Sequence, residues 1–101
     1  MPRDVRGNWD LHQGNGFTLH MEIADEDGEG SFDGRVNVHG KAGFTGLADT
    51  RATDDELTFQ MGNGRYTGRF DFQGRLTGVT FDVAHPQSQA TWWADKLFGF
   101  M

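Results

Sequence analysis

The chain has 101 residues, 9 Lys+Arg against 15 Asp+Glu, no cysteine, 15 glycines and 13% aromatic residues, which fits a single domain, residues 1–101, built on one modest core. The formal charge of -6 supplies no cation cluster for a phosphate backbone and excludes nucleic acid, and the longest apolar run is Trp92-Trp93-Ala94, so no membrane span or signal peptide is expected and the chain reads as soluble and by default cytoplasmic. The absence of cysteine removes disulfides, thiolate nucleophiles and Cys-type zinc sites together.

Apolar residues recur with a period of two, the signature of half-buried strands. The first predicted strand, near 5–12, puts Val5, Trp9 and Leu11 on one face and Asp10 and His12 on the other. The second, near 17–24, alternates Phe17, Leu19, Met21 and Ile23 with Thr18, His20 and Glu22. Phe32, Val36 and Val38 carry the third, near 30–38, and Phe44 and Leu47 the fourth, near 42–49. Residues 49–56 lack an apolar stripe and read as loop. Leu57, Phe59 and Met61 mark a strand near 56–62, and Tyr66, Phe70 and Phe72 one near 65–72. The last two fall near 75–83 and 89–97, with His85-Pro86-Gln87-Ser88 read as a turn between them. Tight turns are expected at Gly14-Asn15-Gly16, Asp27-Gly28, His39-Gly40, Asn63-Gly64 and Gln73-Gly74, which supply residues tolerant of positive φ.

Two segments look like copies of one unit. Gly30, Phe32, Gly34, Arg35, Val36, Val38 and Gly40 align without gaps with Gly64, Tyr66, Gly68, Arg69, Phe70, Phe72 and Gly74. Phe44-Thr45-Gly46-Leu47 and Leu76-Thr77-Gly78-Val79 extend the match, and the spacing of their apolar residues predicts a bulge at each glycine. Two such units, completed by the first and last strands, give an all-β, antiparallel, eight-stranded up-and-down barrel with an internal two-fold repeat, whose closure removes exposed edges. An open sandwich is the competing architecture.

Gly7-Asn8-Trp9 on the first strand resembles the Gly-x-Trp signature of the calycins, the lipocalin, fatty-acid-binding and avidin group. Leu76-Thr77-Gly78, Tyr66-Thr67-Gly68-Arg69-Phe70-Asp71 and the last strand with Trp92 are similar to avidins in particular. The resemblance implies an up-and-down barrel holding a small ligand in one mouth.

Catalytic chemistry finds little support. If the apolar face points inward, Asp10, Glu22, Asp33, Asp71 and Asp82 all point to solvent, without the shelter that shifts a pKa for acid–base work. Ser31 and Ser88 are the only serines and neither lies in Gly-x-Ser-x-Gly. Asp25, Asp27, Glu29 and Gly30 occupy the first, third, fifth and sixth places of an EF-hand-like loop, but Val36 stands where the bidentate Glu belongs, so the segment reads as an acidic hairpin tip. His12, His20, His39 and His85 form no His-x-His pair, and a metal would need cross-strand pairing. No metal and no cofactor is expected.

The interior is left to aromatic residues. Trp9, Phe17, Phe32, Phe44, Phe59, Tyr66, Phe70, Phe72, Phe81 and Trp92 are expected to converge there, and an eight-strand barrel is either filled by its side chains or holds one small ligand. The expected function is non-catalytic binding of a small apolar or planar molecule by Trp9, Phe44, Phe59, Tyr66, Phe70 and Trp92, oriented by the few interior polar groups. A carbohydrate- or protein-binding module using exposed Trp93 is the alternative that a filled interior favours; a barrel cyclase or isomerase is the second. Adjacent Trp92 and Trp93 must point to opposite faces. With the apolar tail, this makes Trp93, Leu97, Phe98 and Phe100 the expected interface of a homodimer. The competing arrangement has the tail fold back and plug one barrel end.

Overall fold

Nine antiparallel strands and no helix account for the secondary structure of the described residues, Pro2–Met101, in this computed structural model. They are β1 (Gly7–Gln13), β2 (Thr18–Glu26), β3 (Phe32–Val38), β4 (Thr45–Gly46), β5 (Ala48–Ala52), β6 (Glu56–Met61), β7 (Gly64–Phe70), β8 (Arg75–Asp82) and β9 (His85–Leu97). The sheet order is β4-β3-β2-β1-β9-β8-β7-β6-β5, so sequence neighbours pair throughout and β1 joins β9. The sheet curls into a nearly closed barrel. Its free edges meet where Leu47 N–H donates to Gly34 O at 3.1 Å and Ala52 N–H to Gly30 O at 2.6 Å, while the Thr50 hydroxyl donates to Phe32 O at 2.6 Å.

The expected fourth strand is divided, which raises the count from eight to nine. The chain changes partner at Leu47, between β4, which pairs with β3, and β5, which pairs with β6, and Asp49 adopts φ 50° in the register shift that follows Ala48. Residues 49–52, read from sequence as loop, are therefore strand. The turn expected at His85–Ser88 is also strand, because β9 begins at His85 and the chain reverses at Val83-Ala84. Between β6 and β7 the positive φ falls on Gly62 rather than Gly64. Gly78 carries no bulge. It keeps the inward slot between Leu76 and Thr80, and Val79 faces solvent.

Matched positions of the two similar segments share their environments. Phe32 and Tyr66 are buried, as are Val36 and Phe70, and Gly40 and Gly74 both have φ +87°. The match fails at its end, where Val38 packs on the core but Phe72 is 91% exposed. Phe72 lies in the turn after β7, where strand parity no longer governs side-chain direction. Phe17 and Phe44 likewise precede their strands and are exposed, correcting their assignment to the interior.

One end of the barrel is closed by both chain termini. Phe98 N–H donates to Gly74 O at 2.9 Å, Asp4 N–H to Gly99 O at 2.8 Å, and Arg3 pairs with Phe100 in an antiparallel bridge. Phe98 is 2% exposed and meets Trp9 edge-on at a centroid distance of 5.0 Å, with Phe70 at 5.5 Å. It is thus core, not interface. The buried Arg3 guanidinium donates to Phe98 O at 2.8 Å and Asp71 O at 3.0 Å, exchanging water for fixed carbonyl dipoles. It also lies 3.9 Å from the centre of the half-exposed Phe100 ring, a cation–π contact.

Candidate functional site

The expected binding residues divide between the two halves of the interior. Trp9 and Phe70 belong to the closed end, packed on Phe98, and the Trp9 indole N–H donates to Val5 O at 3.1 Å. Phe59 and Tyr66 are cross-strand partners of β6 and β7 toward the other end, with rings stacked at 4.7 Å and 6°. Tyr66 also faces Trp92 at 6.3 Å. Phe44 joins neither group. It lies outside, under the Arg35 guanidinium at 3.9 Å.

Trp92 fits because two strands give way around it. Gly68 and Gly78 are cross-strand partners, and a Cβ on either would come within 2.6 Å of the Trp92 ring. Two glycines of the second repeated segment thus make room for the largest interior side chain. Near Trp92 lie the few polar interior groups. The Tyr66 hydroxyl donates to Gln13 Oε1, and both residues are buried, as is Thr80. Burial raises the Tyr66 pKa, partly offset by its hydrogen bond with Thr80. The Trp92 Nε1–H is buried without a partner.

Side chains fill this interior. Five depressions of about 180 to 470 Å³ lie on the molecule's surface, and none is lined by Trp9, Phe59, Tyr66, Phe70 or Trp92. The one of about 470 Å³ runs along β8 and β9 and is lined by Arg75, Thr77, Trp93, Asp95, Lys96 and Leu97 among others. Trp93 is 49% and Leu97 63% exposed there, with half-exposed Val79 on the same face of β8. A second, of about 440 Å³, crosses β6, β7 and β8 past Thr58, Thr67, Thr77 and Val79. Of the four expected interface residues, then, Trp93, Leu97 and Phe100 are surface residues, and only Trp93 and Leu97 share this face.

Histidines and carboxylates concentrate on the adjoining outer face. His12 opposes Trp93 across the β1–β9 join, and their rings lie 5.4 Å apart. His20 sits between Asp10, 2.9 Å from Nδ1, and Glu22, 3.4 Å from Nε2, and Arg35 reaches Glu22 at 3.0 Å. Cross-strand pairing, which no local motif reveals, assembles this group. The acidic loop is a hairpin tip whose Asp27 Oδ1 accepts the Glu29 and Ser31 N–H groups at 2.8 and 3.0 Å. These bonds hold the Asp27 carboxyl below its ordinary pKa. Asp10, Glu22, Asp33, Asp71 and Asp82 all lie outside the core; parity places Asp10, Glu22 and Asp33 there, whereas Asp71 follows the end of β7 and Asp82 shares the parity of inward Leu76 and Thr80 but comes after a register shift at Phe81.

Comparison of the chain with protein-family models, curated proteins and solved structures returns no match.

Proposed function

We propose that the protein is a non-catalytic, calycin-like interaction module that works from the outside of its barrel, with the Trp93 face as its contact surface and a second copy of the chain as occupant. One observation carries this reading: the interior is filled with side chains, while Trp93, Leu97 and Val79 stand uncovered on one outer face. Aromatic anchors of this kind dominate the centres of protein interfaces. The face also mixes charges, with Arg75 and Lys96 beside Asp95, so the local surface is not of the single sign that the chain's net charge of -6 would otherwise set against its copy.

Light scattering at tens of micromolar tests the proposal on the intact chain and on Trp93→Ser. The tail stays in place because Phe98 belongs to the core. A dimer that becomes a monomer in Trp93→Ser, with its melting temperature changed by only a few degrees, is the expected result. A monomeric intact protein refutes it.

A second reading rests on the unpartnered Trp92 Nε1–H beside Tyr66, Gln13 and Thr80. A buried donor without an acceptor costs about 1–3 kcal/mol, and a small planar ligand with one acceptor would satisfy it. Titration with flavonoids, lipids and biotin analogues then shifts tryptophan emission in the wild type and not in Trp92→Phe. No response across the panel removes this reading.

A further inference from the structure

The barrel joins at β1 and β9, and the join brings together metal-ligating groups as far as 85 positions apart in sequence. Asp10, His12 and Asp95 each offer one ligand atom, all within 4.8 Å of one another, from partly or fully exposed positions on the outer face. Each is held by a group outside the trio or by the trio's own backbone. Thr18 Oγ1 lies 3.2 Å from His12 Nδ1, His20 Nδ1 lies 2.9 Å from Asp10 Oδ1, and the Asp10 backbone N–H donates to Asp95 Oδ1 at 3.0 Å. In the tautomer that donates Nδ1–H to Thr18, the His12 Nε2 lone pair is free. It faces Asp95 Oδ2 at 3.8 Å, too far for a hydrogen bond.

Charge around the trio favours a cation. Among the described residues neither aspartate forms an ion pair with a lysine or arginine, and neighbouring Lys96 donates instead to the Arg6 carbonyl at 3.0 Å. Two carboxylates and an imidazole lone pair therefore converge without a lysine or arginine to balance them, and His20, 2.9 Å from Asp10, is shared with Glu22.

We propose that Asp10, His12 and Asp95 form a divalent transition-metal site of the zinc class, with a fourth position open to solvent. One imidazole with two carboxylates is too soft a set for a calcium or magnesium cage, which takes oxygen alone, and too hard for copper(I), which selects sulfur. Zinc bonds of about 2.0–2.1 Å in a tetrahedron place ligand atoms about 3.3 Å apart, so no pair of the trio, whose atoms lie within 4.8 Å of one another, needs to close by more than about 1.5 Å on binding. Rotation of half-exposed side chains supplies that movement. Thr18 and His20 act behind the ligands as orienting groups for His12 and Asp10. The site borders the Trp93 contact surface, since Asp95 lines both and the His12 ring lies 5.4 Å from that of Trp93, but Trp93 itself offers no ligand atom.

Calorimetric titration with zinc chloride tests the proposal on the wild type and on His12→Ala, Asp95→Asn, His39→Ala and Trp93→Ser. The expected result is one zinc per chain with a micromolar Kd, weakened at least roughly tenfold in His12→Ala and Asp95→Asn and unchanged in His39→Ala. Retained binding in Trp93→Ser separates the metal site from self-association, so either can fail alone. Nickel(II) provides a second readout: by quenching the Trp93 indole, whose ring lies 5.4 Å from that of His12, it lowers emission in the wild type more than in Trp93→Phe. Circular dichroism establishes that each variant is folded, and the near-isosteric Asp95→Asn decides the matter if His12→Ala is not. No heat of binding at hundreds of micromolar zinc, or wild-type affinity in folded His12→Ala or Asp95→Asn, overturns the proposal.

Discussion

Truncating Phe98 to alanine tests whether the C-terminal tail is structural. Its ring is 2% exposed and packed on Trp9 and Phe70, so removal leaves a cavity between two aromatic residues that strand backbone holds in place. A buried Phe→Ala change costs about 3–5 kcal/mol, including the cavity left behind. Loss of the two edge-on ring contacts places the cost in that range rather than below it. For a domain of this length each kcal/mol moves the melting temperature by about 4–8 °C, so a fall of about 12 °C or more is expected. Phe100→Ala is the comparison: that ring is 55% exposed and held chiefly by Arg3, and a cation–π contact at such a site contributes about 0.5–1 kcal/mol. Urea denaturation with both variants, repeated over a hundredfold range of protein concentration, separates the terms. A Phe98→Ala cost below about 1 kcal/mol refutes the plug. A cost that shrinks on dilution would instead return Phe98 to an interface, because association stabilises the wild type only where it is concentrated enough to associate.

Three further outcomes follow from the same packing. In Gly78→Ala the new methyl overlaps the Thr67 carbonyl oxygen and stands 2.6 Å from Trp92 Cζ2, so denaturation should show a loss of about 1–3 kcal/mol or more; Gly99→Ala, with open space around it, should be close to neutral. Burial raises the Glu26 pKa above its ordinary 4.5, so its contribution to stability is full below that value and lost as pH rises through the higher folded value. Glu26→Gln should therefore stabilise at pH 7 and lose its advantage near pH 3.5; an equal gain at both pH values refutes the account. Asp27 Oδ1 already accepts two backbone N–H groups, so millimolar calcium should move the melting temperature by no more than about a degree, and a saturable rise lost in Asp27→Ala would show a calcium site.

The strand pattern was legible because alternation is a local property. Leu19, Met21 and Ile23 on β2, and Leu57 and Phe59 on β6, point inward as period two demands. Phe17, Phe44 and Phe72 lie just outside their strands, where no ladder residue fixes a face and period two no longer tells inside from outside. β5 escaped because Ala52 is its only buried residue, leaving no alternation to read. Phe98 resembled an unpaired apolar tail, since its partners Trp9, Phe70 and Gly74 belong to the opposite strand ends and termini that only barrel closure brings together. The Asp10, His12 and Asp95 cluster was hidden for the same reason: the outward parity of Asp10 and His12 was plain, but their meeting with Asp95 depends on the β1–β9 register.

A filled barrel also decides where binding is economical. A ligand entering beside Tyr66 must displace a ring from a core in which Phe59, Tyr66 and Trp92 already satisfy one another's surfaces. Loss of one such aromatic side chain's packing costs about 3–5 kcal/mol. An intrinsic affinity worth about 8 kcal/mol, which is micromolar, would then retain only about 3–5 kcal/mol, near the millimolar range. The face around Trp93 carries no such penalty, because its indole and the Leu97 side chain are already half or more exposed and covering them removes apolar surface from water. With a core of this size, the same aromatic residues that stabilise the barrel oppose entry into it, and binding energy is more readily gained on the outside.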